Sequence, residues 1–217
     1  MEELLLPLFP LELVLFPGEV LPLHIFEERY KEMIGECLEK RDLAPDEAEF
    51  GVVCVREKQL QVVGCSARVS QVVRRYEDGR LDILTAGQRR FEILVTNNEK
   101  SYLRAAVSFF EDDDGASPPK TETEHAHALL RQLLSRLSIS EERAGLDRAF
   151  RHLSFQIAAA LPLGLDFKQQ VLALRGEKDR LRRLVDVMEK LIPALDLREQ
   201  ARAKASGNGH HLNLPKD

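Results

Sequence analysis

The chain of 217 residues is 44% hydrophobic and 31% charged, so it has enough apolar side chain for a packed core and suits one large domain or two small ones. Its formal net charge of -5 gives no general reason to expect a nucleic-acid or membrane partner. The three cysteines, Cys37, Cys54 and Cys65, are far apart and lack metal-ligand spacing, which favours buried free thiols in a reducing cytoplasm.

The apolar N-terminal stretch from Leu4 to Phe26 is predicted to form short strands rather than a signal peptide. It follows two glutamates instead of lysines, and four prolines interrupt it. Within it, Pro17-Gly18 is typical of a turn in which glycine supplies a positive φ. No stretch approaches the roughly 18 uninterrupted apolar residues that a spanning helix needs, so we expect a cytoplasmic protein.

A change of period predicts one amphipathic helix from Glu27 to Lys40, with apolar residues at helical spacing from Tyr30 onward. Strand-like runs follow, and Asp78-Gly79 between two of them predicts a type I′ hairpin turn. Short strands in this number predict a closed or partly closed barrel, because closure removes exposed sheet edges. The runs cover residues 50–55, 68–76, 80–86, 90–96 and 102–110.

The acidic run with Gly, Ser and Pro from Glu111 to Pro119 predicts a linker, because such a segment has no side chains for a core. Helical spacing of apolar residues begins after it. We therefore predict a chain divided into a barrel subdomain at residues 1–112, a linker at 113–124, a helical subdomain at 125–200 and a flexible tail at 201–217.

The helical half is predicted to contain several short helices followed by a longer one. Apolar residues recur at helical spacing from Ala128 to Leu137 and again from Leu146 to Ile157. Asp166, with Gln169 three residues later, is typical of a capping box that opens another helix. Gly176 is predicted to separate that helix from the long last one.

Motifs that carry catalysis are missing from the sequence. It contains neither the G-x-x-x-x-G-K-[ST] run of a P-loop nor a G-x-S-x-G nucleophile elbow. His125 and His127 lie two apart in a predicted helix, so their side chains should point to different faces. His24 is predicted to be a core or interface histidine with its ring hydrogen-bonded. We therefore predict no enzyme, no cofactor and no metal site; a small-ligand enzyme using a pocket between the subdomains has no residue constellation to support it.

The strand region from residue 64 to 110 is locally basic, with eight lysines and arginines against five acids. A solvated strand face is the simpler interpretation of such charges. The alternative is a site for RNA or another anion. The residues assigned to that alternative are Arg68, Arg74, Arg75, Arg89 and Arg90.

Two adjacent phenylalanines, Phe109 and Phe110, end the last predicted strand and must point to opposite faces, because side chains alternate with a period of two. One can enter the core, while the other is covered by the helices or used for binding. Phe167, in the first turn of a predicted helix, poses the same choice. Phe110 and Phe167 are the candidate partner-binding residues.

Several motifs, in order along residues 4 to 195, closely resemble the amino-terminal substrate-binding domain of Lon proteases. They are Leu6-Pro-Leu-Phe-Pro-Leu11, Leu15-Phe-Pro-Gly-Glu-Val-Leu-Pro-Leu-His-Ile-Phe26, Gly64-Cys-Ser-Ala-Arg-Val69, Leu84-Thr-Ala-Gly-Gln-Arg-Arg-Phe91, Tyr102-Leu-Arg-Ala105, Phe155-Gln-Ile-Ala-Ala-Ala-Leu-Pro-Leu163 and Lys168-Gln-Gln-Val-Leu172. No local motif marks the substrate contacts of that family, so the resemblance assigns none here.

The resemblance implies an α+β fold, a PUA-like β-barrel with one amphipathic helix followed by a C-terminal α-helical bundle. In full-length Lon, this region helps to recognise unfolded or tagged substrates, whereas AAA+ and Ser-Lys peptidase domains supply the activity. We therefore expect a non-catalytic polypeptide-binding module in protein quality control. Its expected partners are unfolded or tagged polypeptides, or a protease or chaperone, with nucleic acid as the alternative and no membrane.

Overall fold

Strands precede helices along the chain, in the order that the sequence predicts. The computed structural model describes residues 5–41, 43–44, 48–113, 117–145, 150 and 152–207, with side chains as far as Arg202. The elements within these residues are β1 (Leu6–Leu11), β2 (Val20–Ile25), α1 (Glu28–Lys40), β3 (Glu49–Arg56), β4 (Gln59–Leu60), β5 (Val63–Arg75), β6 (Leu81–Asn97), β7 (Arg104–Phe110), α2 (Lys120–Arg136), α3 (Leu153–Ala160), α4 (Leu165–Ala173) and α5 (Glu177–Gly207).

The hydrogen-bonded path through the sheet returns to its first strand. Its order is β1-β7-β6-β5-β3-β4, and β1 also pairs with β3. That last pairing is parallel, with Leu8 opposite Gly51, whereas β1 pairs with β7 in the antiparallel direction. Strand β2 lies beside the first half of β6, with Val20 opposite Ala86. Strands β1, β7 and β5 therefore pair with two neighbours each, and β3 and β6 pair with three each.

Strand β6 is longer than the sequence predicts. Two separate strands are predicted at 80–86 and 90–96, but a single strand of 17 residues forms. It pairs with β2 and β5 in its first half and with β5 and β7 in its second. At the change of neighbours, a Cβ on Gly87 would lie 2.2 Å from the carbonyl oxygen of Phe16. Glycine therefore allows this close backbone approach without ending the strand.

The type I′ prediction for Asp78-Gly79 is wrong. The N–H of Tyr76 donates to the carbonyl of Arg80 at 3.0 Å, which leaves a three-residue loop. Gly79 alone has a positive φ there, of 82°, as in a type I turn followed by a left-handed residue. Glu57 and Lys58, between β3 and β4, instead have the two positive φ angles of a type I′ turn, 51° and 65°.

The main core is shared by the strands and the helices. Helix α1 buries Tyr30, Met33, Ile34 and Cys37, which confirms its predicted apolar face. Side chains from β1, β3, β5 and β6 join residues of all five helices in one cluster. The rings of Phe16 and Phe155 stack at 5.7 Å between the two halves. The part of the chain that the structure describes contains no helix both long and apolar enough to cross a membrane.

A second, smaller core surrounds Phe91 on the other face of the strands. It contains Leu6, Leu8, Val53 and Ala105, all buried. A Cβ added to either neighbouring glycine would lie 2.5 Å from Cζ of the Phe91 ring. The absence of side chains at those two positions therefore makes room for the ring. The glycines are Gly51 and Gly64.

Element bounds depart from the predicted subdomain limits. Helix α2 begins at Lys120, inside the predicted linker, and α5 continues to Gly207, inside the predicted tail. Leu4, Leu146 and residues 208–217, on which other predictions fall, lie outside the described residues. Gly176 separates α4 from α5, as predicted.

The capping-box prediction for Asp166 is wrong. Helix α4 has Gly164 at its N-cap position, without a side-chain cap. The Gln169 side chain instead donates to the carbonyl of Val63 at 2.8 Å, and Asp166 pairs with Arg56. Both side chains therefore bind strand residues rather than their own helix.

All three cysteines are buried and free, as predicted. Burial raises the pKa of Cys37 to about 12, with a smaller contribution from Glu36. Burial likewise raises the pKa of Cys54 and of Cys65. The thiols are therefore protonated at neutral pH and are poor nucleophiles.

Candidate binding surfaces

A buried cluster of charged side chains joins the sheet to the helices. It consists of the buried side chains of Arg90, Ser154 and Arg180 and the half-buried carboxylates of Asp112 and Glu177. Arg180 is 0% exposed and donates to Asp112 at 2.6 Å and to Glu177 at 2.8 Å. Its Nε also donates to the Ser154 hydroxyl at 2.8 Å. Arg90, 3% exposed, donates to the same Asp112 carboxylate from β6. Each buried charge thus has an opposite charge beside it, as burial requires.

Two arginines set the ionisation of Asp112. Burial raises the pKa of this carboxyl, but hydrogen bonds from Arg180 and the charges of Arg180 and Arg90 outweigh burial and hold the pKa below its ordinary value. Asp112 is therefore a carboxylate at neutral pH. The acidic run predicted as a linker supplies this residue.

Asp112, His152 and Glu177 place potential metal-ligand atoms within 4.8 Å of one another. Arg180 donates to both carboxylates, and the His152 ring lies 3.6 Å and 3.7 Å from them. The guanidinium already supplies the positive charge that a cation would bring. We therefore assign these residues to the junction of sheet and helices rather than to metal binding.

The five arginines predicted for anion binding do not form one surface. Arg68 and Arg89 both pair with Glu49, at 3.0 Å and 3.2 Å, and Arg90 belongs to the buried cluster. Glu49 itself is only 3% exposed. These three arginines therefore neutralise internal carboxylates. The other two, Arg74 and Arg75, are exposed.

Phe110 lies in the junction of sheet and helices rather than on the surface. It is 9% exposed, with the guanidinium groups of Arg90 and Arg175 4.5 Å and 4.3 Å from its ring centre. Phe109, on the opposite face, is 39% exposed. The period of two requires this opposition but cannot say which ring the helices cover. Phe167 is half-buried and packs against the main core.

Exposed apolar side chains follow one face of β5, β6 and β7. Phe91 stands opposite Phe109 and Ile93 opposite Val107 across β6 and β7. On the other side of β6, the backbone carbonyl of Val62 accepts a hydrogen bond from the N–H of Ile93 at 2.9 Å. Paired residues share a face, so these side chains continue the small core outward.

We call the exposed part of this face, Val62 and Phe109, the apolar rim. Val62 is 61% exposed and Phe109 is 39% exposed. The Phe109 ring meets Phe91 edge-on at 6.2 Å between centres, so the rim adjoins a rigid, buried ring. The sequence did not identify Val62 or Phe109 as binding residues. The available signal was the pair Phe109-Phe110, because only one of two adjacent strand residues can face a given core.

His24 is exposed, so the prediction of a core position is wrong, and an interface position stays a prediction. Its side chain is 44% exposed, although Nδ1 lies 2.6 Å from Oδ1 of Asp82, so the ring is hydrogen-bonded as predicted. The apolar neighbours that suggested burial alternate with it along β2, where Ile25 is buried. His125 also pairs with an acid, Glu189, at 3.0 Å.

Comparison with known sequences gives one consistent result. The family model described as the ATP-dependent protease La (LON) substrate-binding domain matches residues 5–190. The Lon protease of Buchnera aphidicola subsp. Baizongia pistaciae is 25% identical over 216 residues, covering 93% of this chain and 27% of that protein. The Lon protease of Anaeromyxobacter dehalogenans is 28% identical over 221 residues, covering 93% and 25%. The chain spans about a quarter of the length of these curated relatives.

Solved structures agree with the sequence comparisons. A crystal structure of a Lon N-terminal domain protein from Xanthomonas campestris has a TM-score of 0.65 at 26% identity and covers 84% of this chain and 97% of its own. The N-terminal domain of a Mycobacterium avium complex Lon protease, at 18% identity, shares the fold with a TM-score of 0.61, covering 85% and 98%. The mixed arrangement of sheet and helices is thus that of a Lon N-terminal domain, and the chain belongs to the family of Lon protease substrate-binding domains.

Proposed function

We propose that the chain is a non-catalytic module that binds unfolded or extended polypeptide through the apolar rim. The observation that carries the proposal is the exposure of Val62 and Phe109 on a face that continues into the Phe91 core. Exposed apolar side chains grouped on one face are typical of interaction surfaces. Membership of the substrate-binding family supports a polypeptide as the occupant.

The chemistry of the rim favours unfolded over folded partners. A folded protein buries most of its large apolar side chains, whereas an unfolded chain presents them to any complementary surface. Apolar burial contributes roughly 25 cal/mol per Å² and does not depend on attraction between charges, so binding should tolerate salt. Tagged polypeptides with an apolar tag fit the same surface.

A closed, PUA-like barrel is the second part of the proposal. The parallel pairing of β1 with β3, which returns the hydrogen-bonded path to β1, supports it. Closure leaves no free edge on β1, so amide hydrogen exchange at Phe9 and Leu11 should be as slow as at Val52. Fast exchange at those two β1 amides would instead indicate an open sheet.

A role in protein quality control, beside a protease or chaperone, rests on the names of the relatives, which are Lon proteases. Delivery of captured polypeptide to a Lon-type protease is the proposed arrangement. Co-incubation with an active Lon protease should then change the degradation rate of a captured polypeptide, but not that of a short peptide substrate.

The test is fluorescence anisotropy with a labelled, reduced and carboxymethylated globular protein as the unfolded probe and its native form as the folded control. The double variant Val62→Ser/Phe109→Ser should bind the unfolded probe at least about tenfold more weakly, because two apolar contacts of about 1 kcal/mol or more each are lost. Leu197→Ser and Val73→Ser remove exposed apolar side chains elsewhere and should bind as the wild type does. Equal binding by the rim variant and these controls would overturn the proposed site.

The RNA or anion alternative is weakened in its original form. Three of its five arginines, Arg68, Arg89 and Arg90, bind internal carboxylates. Arg74 and Arg75 are exposed. The two exposed members of this set thus lie at the end of β5 rather than along the strands.

A further inference from the structure

We propose that a second surface, at the tip of the β5–β6 hairpin, binds single-stranded nucleic acid. This hairpin-tip surface consists of His24, Phe26, Arg74, Tyr76, Arg80 and Asp82. It lies at the opposite end of β6 from the apolar rim, so it would act independently of polypeptide capture.

Three strands place the central side chains in one row. Asp82 of β6 stands opposite His24 of β2 on one side and opposite Arg74 of β5 on the other. Residues paired across a sheet share a face, so the three side chains project together. The neighbouring residues Ile25 and Leu81 turn into the main core. The row therefore occupies the solvent face of this part of the sheet.

Asp82 fixes the two rings beside it. One carboxylate oxygen lies 2.6 Å from Nδ1 of His24, and the other accepts the Tyr76 hydroxyl at 2.8 Å. The rings of His24 and Tyr76 meet edge to face, with centres 5.9 Å apart and planes at 85°. The carboxylate is thus engaged on both oxygens, and the rings are held before any ligand arrives.

Phe26 supplies the open stacking surface. Its side chain is 59% exposed, and its ring lies nearly parallel to that of His24 at 25°, with centres 5.9 Å apart. The ring is therefore open to solvent and accessible to a stacking partner. Unpaired bases stack on such rings, because every base has an aromatic face, whereas bases in a duplex are already stacked.

Arginines supply the contacts for phosphate. The guanidinium groups of Arg74 and Arg80 lie 4.5 Å and 4.8 Å from the Tyr76 ring centre. Arg80 also pairs with Asp78 at 2.7 Å, whereas Arg74 forms no ion pair with any carboxylate among the described residues. Stacking on the ring restricts both guanidinium groups, so less freedom is lost when they bind an anion.

The combination favours nucleic acid over an acidic polypeptide. A single strand alternates flat bases with phosphates, and this surface alternates exposed rings with guanidinium groups. An acidic peptide would use Arg74 and Arg80 but would leave the exposed ring of Phe26 without a matching partner. Dependence of binding on Phe26 therefore distinguishes the two partners.

The experiment measures anisotropy of labelled 12-nucleotide oligouridine and oligodeoxythymidine with the full chain, at 20 mM and 200 mM salt. Phe26→Ala should weaken binding about tenfold, because stacking contributes about 1–3 kcal/mol per base. Arg74→Ala should weaken binding to both oligonucleotides and reduce the slope of log affinity against log salt by about one. Circular dichroism melts confirm that the variants fold.

Matched controls remove the same chemistry elsewhere. Leu197→Ala deletes an exposed apolar side chain of α5, and Arg183→Ala deletes an exposed positive charge of the same helix. Both should bind the oligonucleotides as the wild type does. The unfolded-protein probe is titrated in parallel and should bind Phe26→Ala and Arg74→Ala normally, so failure of this proposal is separable from failure of polypeptide capture.

Three results would overturn the proposal. The first is the absence of oligonucleotide binding by the wild type at 20 mM salt. The second is an equal loss of binding in the α5 controls, which would indicate non-specific attraction. The third is binding of oligoglutamate that depends on Arg74 but not on Phe26, with no binding of oligonucleotides, which would identify an acidic polypeptide as the ligand.

Discussion

The buried cluster and the hairpin-tip surface use the same residue types in different surroundings. In the cluster, Arg180 and Arg90 lie 4.2 Å and 5.3 Å from the ring centre of Phe155 and share the carboxylate of Asp112. At the tip, two arginines lie 4.5 Å and 4.8 Å from the ring of Tyr76, beside Asp82. The first pair is 0% and 3% exposed, and the second pair is accessible to solvent. Burial, rather than residue type, therefore distinguishes the structural role of the cluster from the proposed binding role of the hairpin-tip surface.

The physical reason is the energy of desolvation. A charge withdrawn from water destabilises the fold unless opposite charges and hydrogen bonds replace its hydration, so every member of the buried cluster depends on the others. A charge in solvent keeps most of its hydration with or without a partner, and its ion pairs contribute little. The buried cluster should therefore hold the halves of the molecule together, whereas the tip remains free to bind.

The largest expected effect comes from Arg180→Met. This change leaves the half-buried carboxylates of Asp112 and Glu177 beside a neutral side chain, which should lower the free energy of unfolding by about 3–5 kcal/mol. Urea unfolding followed by circular dichroism measures the loss. Wild-type stability in this variant would show that the cluster does not join the two halves.

Ser154→Ala should have the next largest effect. Its hydroxyl accepts from Nε of Arg180 at 2.8 Å and donates to Glu177. Removal of the hydroxyl leaves the buried Nε of Arg180 without its acceptor, which should lower the free energy of unfolding by about 1–3 kcal/mol. Ser70→Ala, which removes an exposed hydroxyl bonded to the Leu84 carbonyl, is the matched control and should change stability by less than about 0.5 kcal/mol.

Acidification should reveal different contributions of Asp82 and Asp112 to stability. Hydrogen bonds from His24 and Tyr76 hold the pKa of Asp82 below its ordinary value, and the arginines do the same for Asp112. A pKa that is lower in the folded than in the unfolded chain stabilises the fold above the unfolded pKa of about 3.9 and loses that effect as pH falls through the folded pKa.

Stability should therefore decline as the pH falls below about 5, over the range where carboxylates take up protons. Asp112→Asn should reduce this loss of stability with falling pH at both low and high salt, because the contacts of Asp112 with Arg90 and Arg180 are shielded from counterions. Asp82→Asn should flatten it only at low salt, because counterions screen exposed charges. Urea midpoints of both variants from pH 2 to pH 6 at two salt concentrations test these expectations. Equal salt responses of the two variants would contradict the distinction between a shielded and an exposed carboxylate.

The smallest effect is expected for Arg80→Met. Its partner Asp78 is exposed and stays hydrated without it. The urea midpoint should agree with that of the wild type within error, in contrast to Arg180→Met. A large loss of stability would mean that the hairpin tip has a structural role like that of the buried cluster.

Local patterns were reliable where one element alone determined them. Helix α1 begins within one residue of its predicted start and ends at its predicted last residue, because its apolar stripe, from Tyr30 to Cys37, is strictly periodic. The buried thiols followed from spacing and composition. By contrast, the capping box at Asp166 failed because Arg56 and the carbonyl of Val63, both remote in sequence, compete for its two side chains.

Candidate site residues were less predictable, because exposure depends on what another element covers. Phe109 and Phe110 have the same local sequence pattern, yet the helical half covers only Phe110. Arg68 and Arg74 both lie on β5, but Glu49 of β3 pairs with only the first. Neither choice is visible from a strand's own residues.

The sequence by itself determined the order of strands and helices, the amphipathic helix, the protonated thiols and the family, since these depend on composition, periodicity and local motifs. Only the tertiary structure decided that Asp112 of the acidic run is half-buried between two arginines and that His24 is exposed. It also decided that β6 continues past Gly87. The reason is that burial, ion pairing and strand pairing depend on residues far apart in the chain. A local sequence pattern does not determine which of those residues will become the partner.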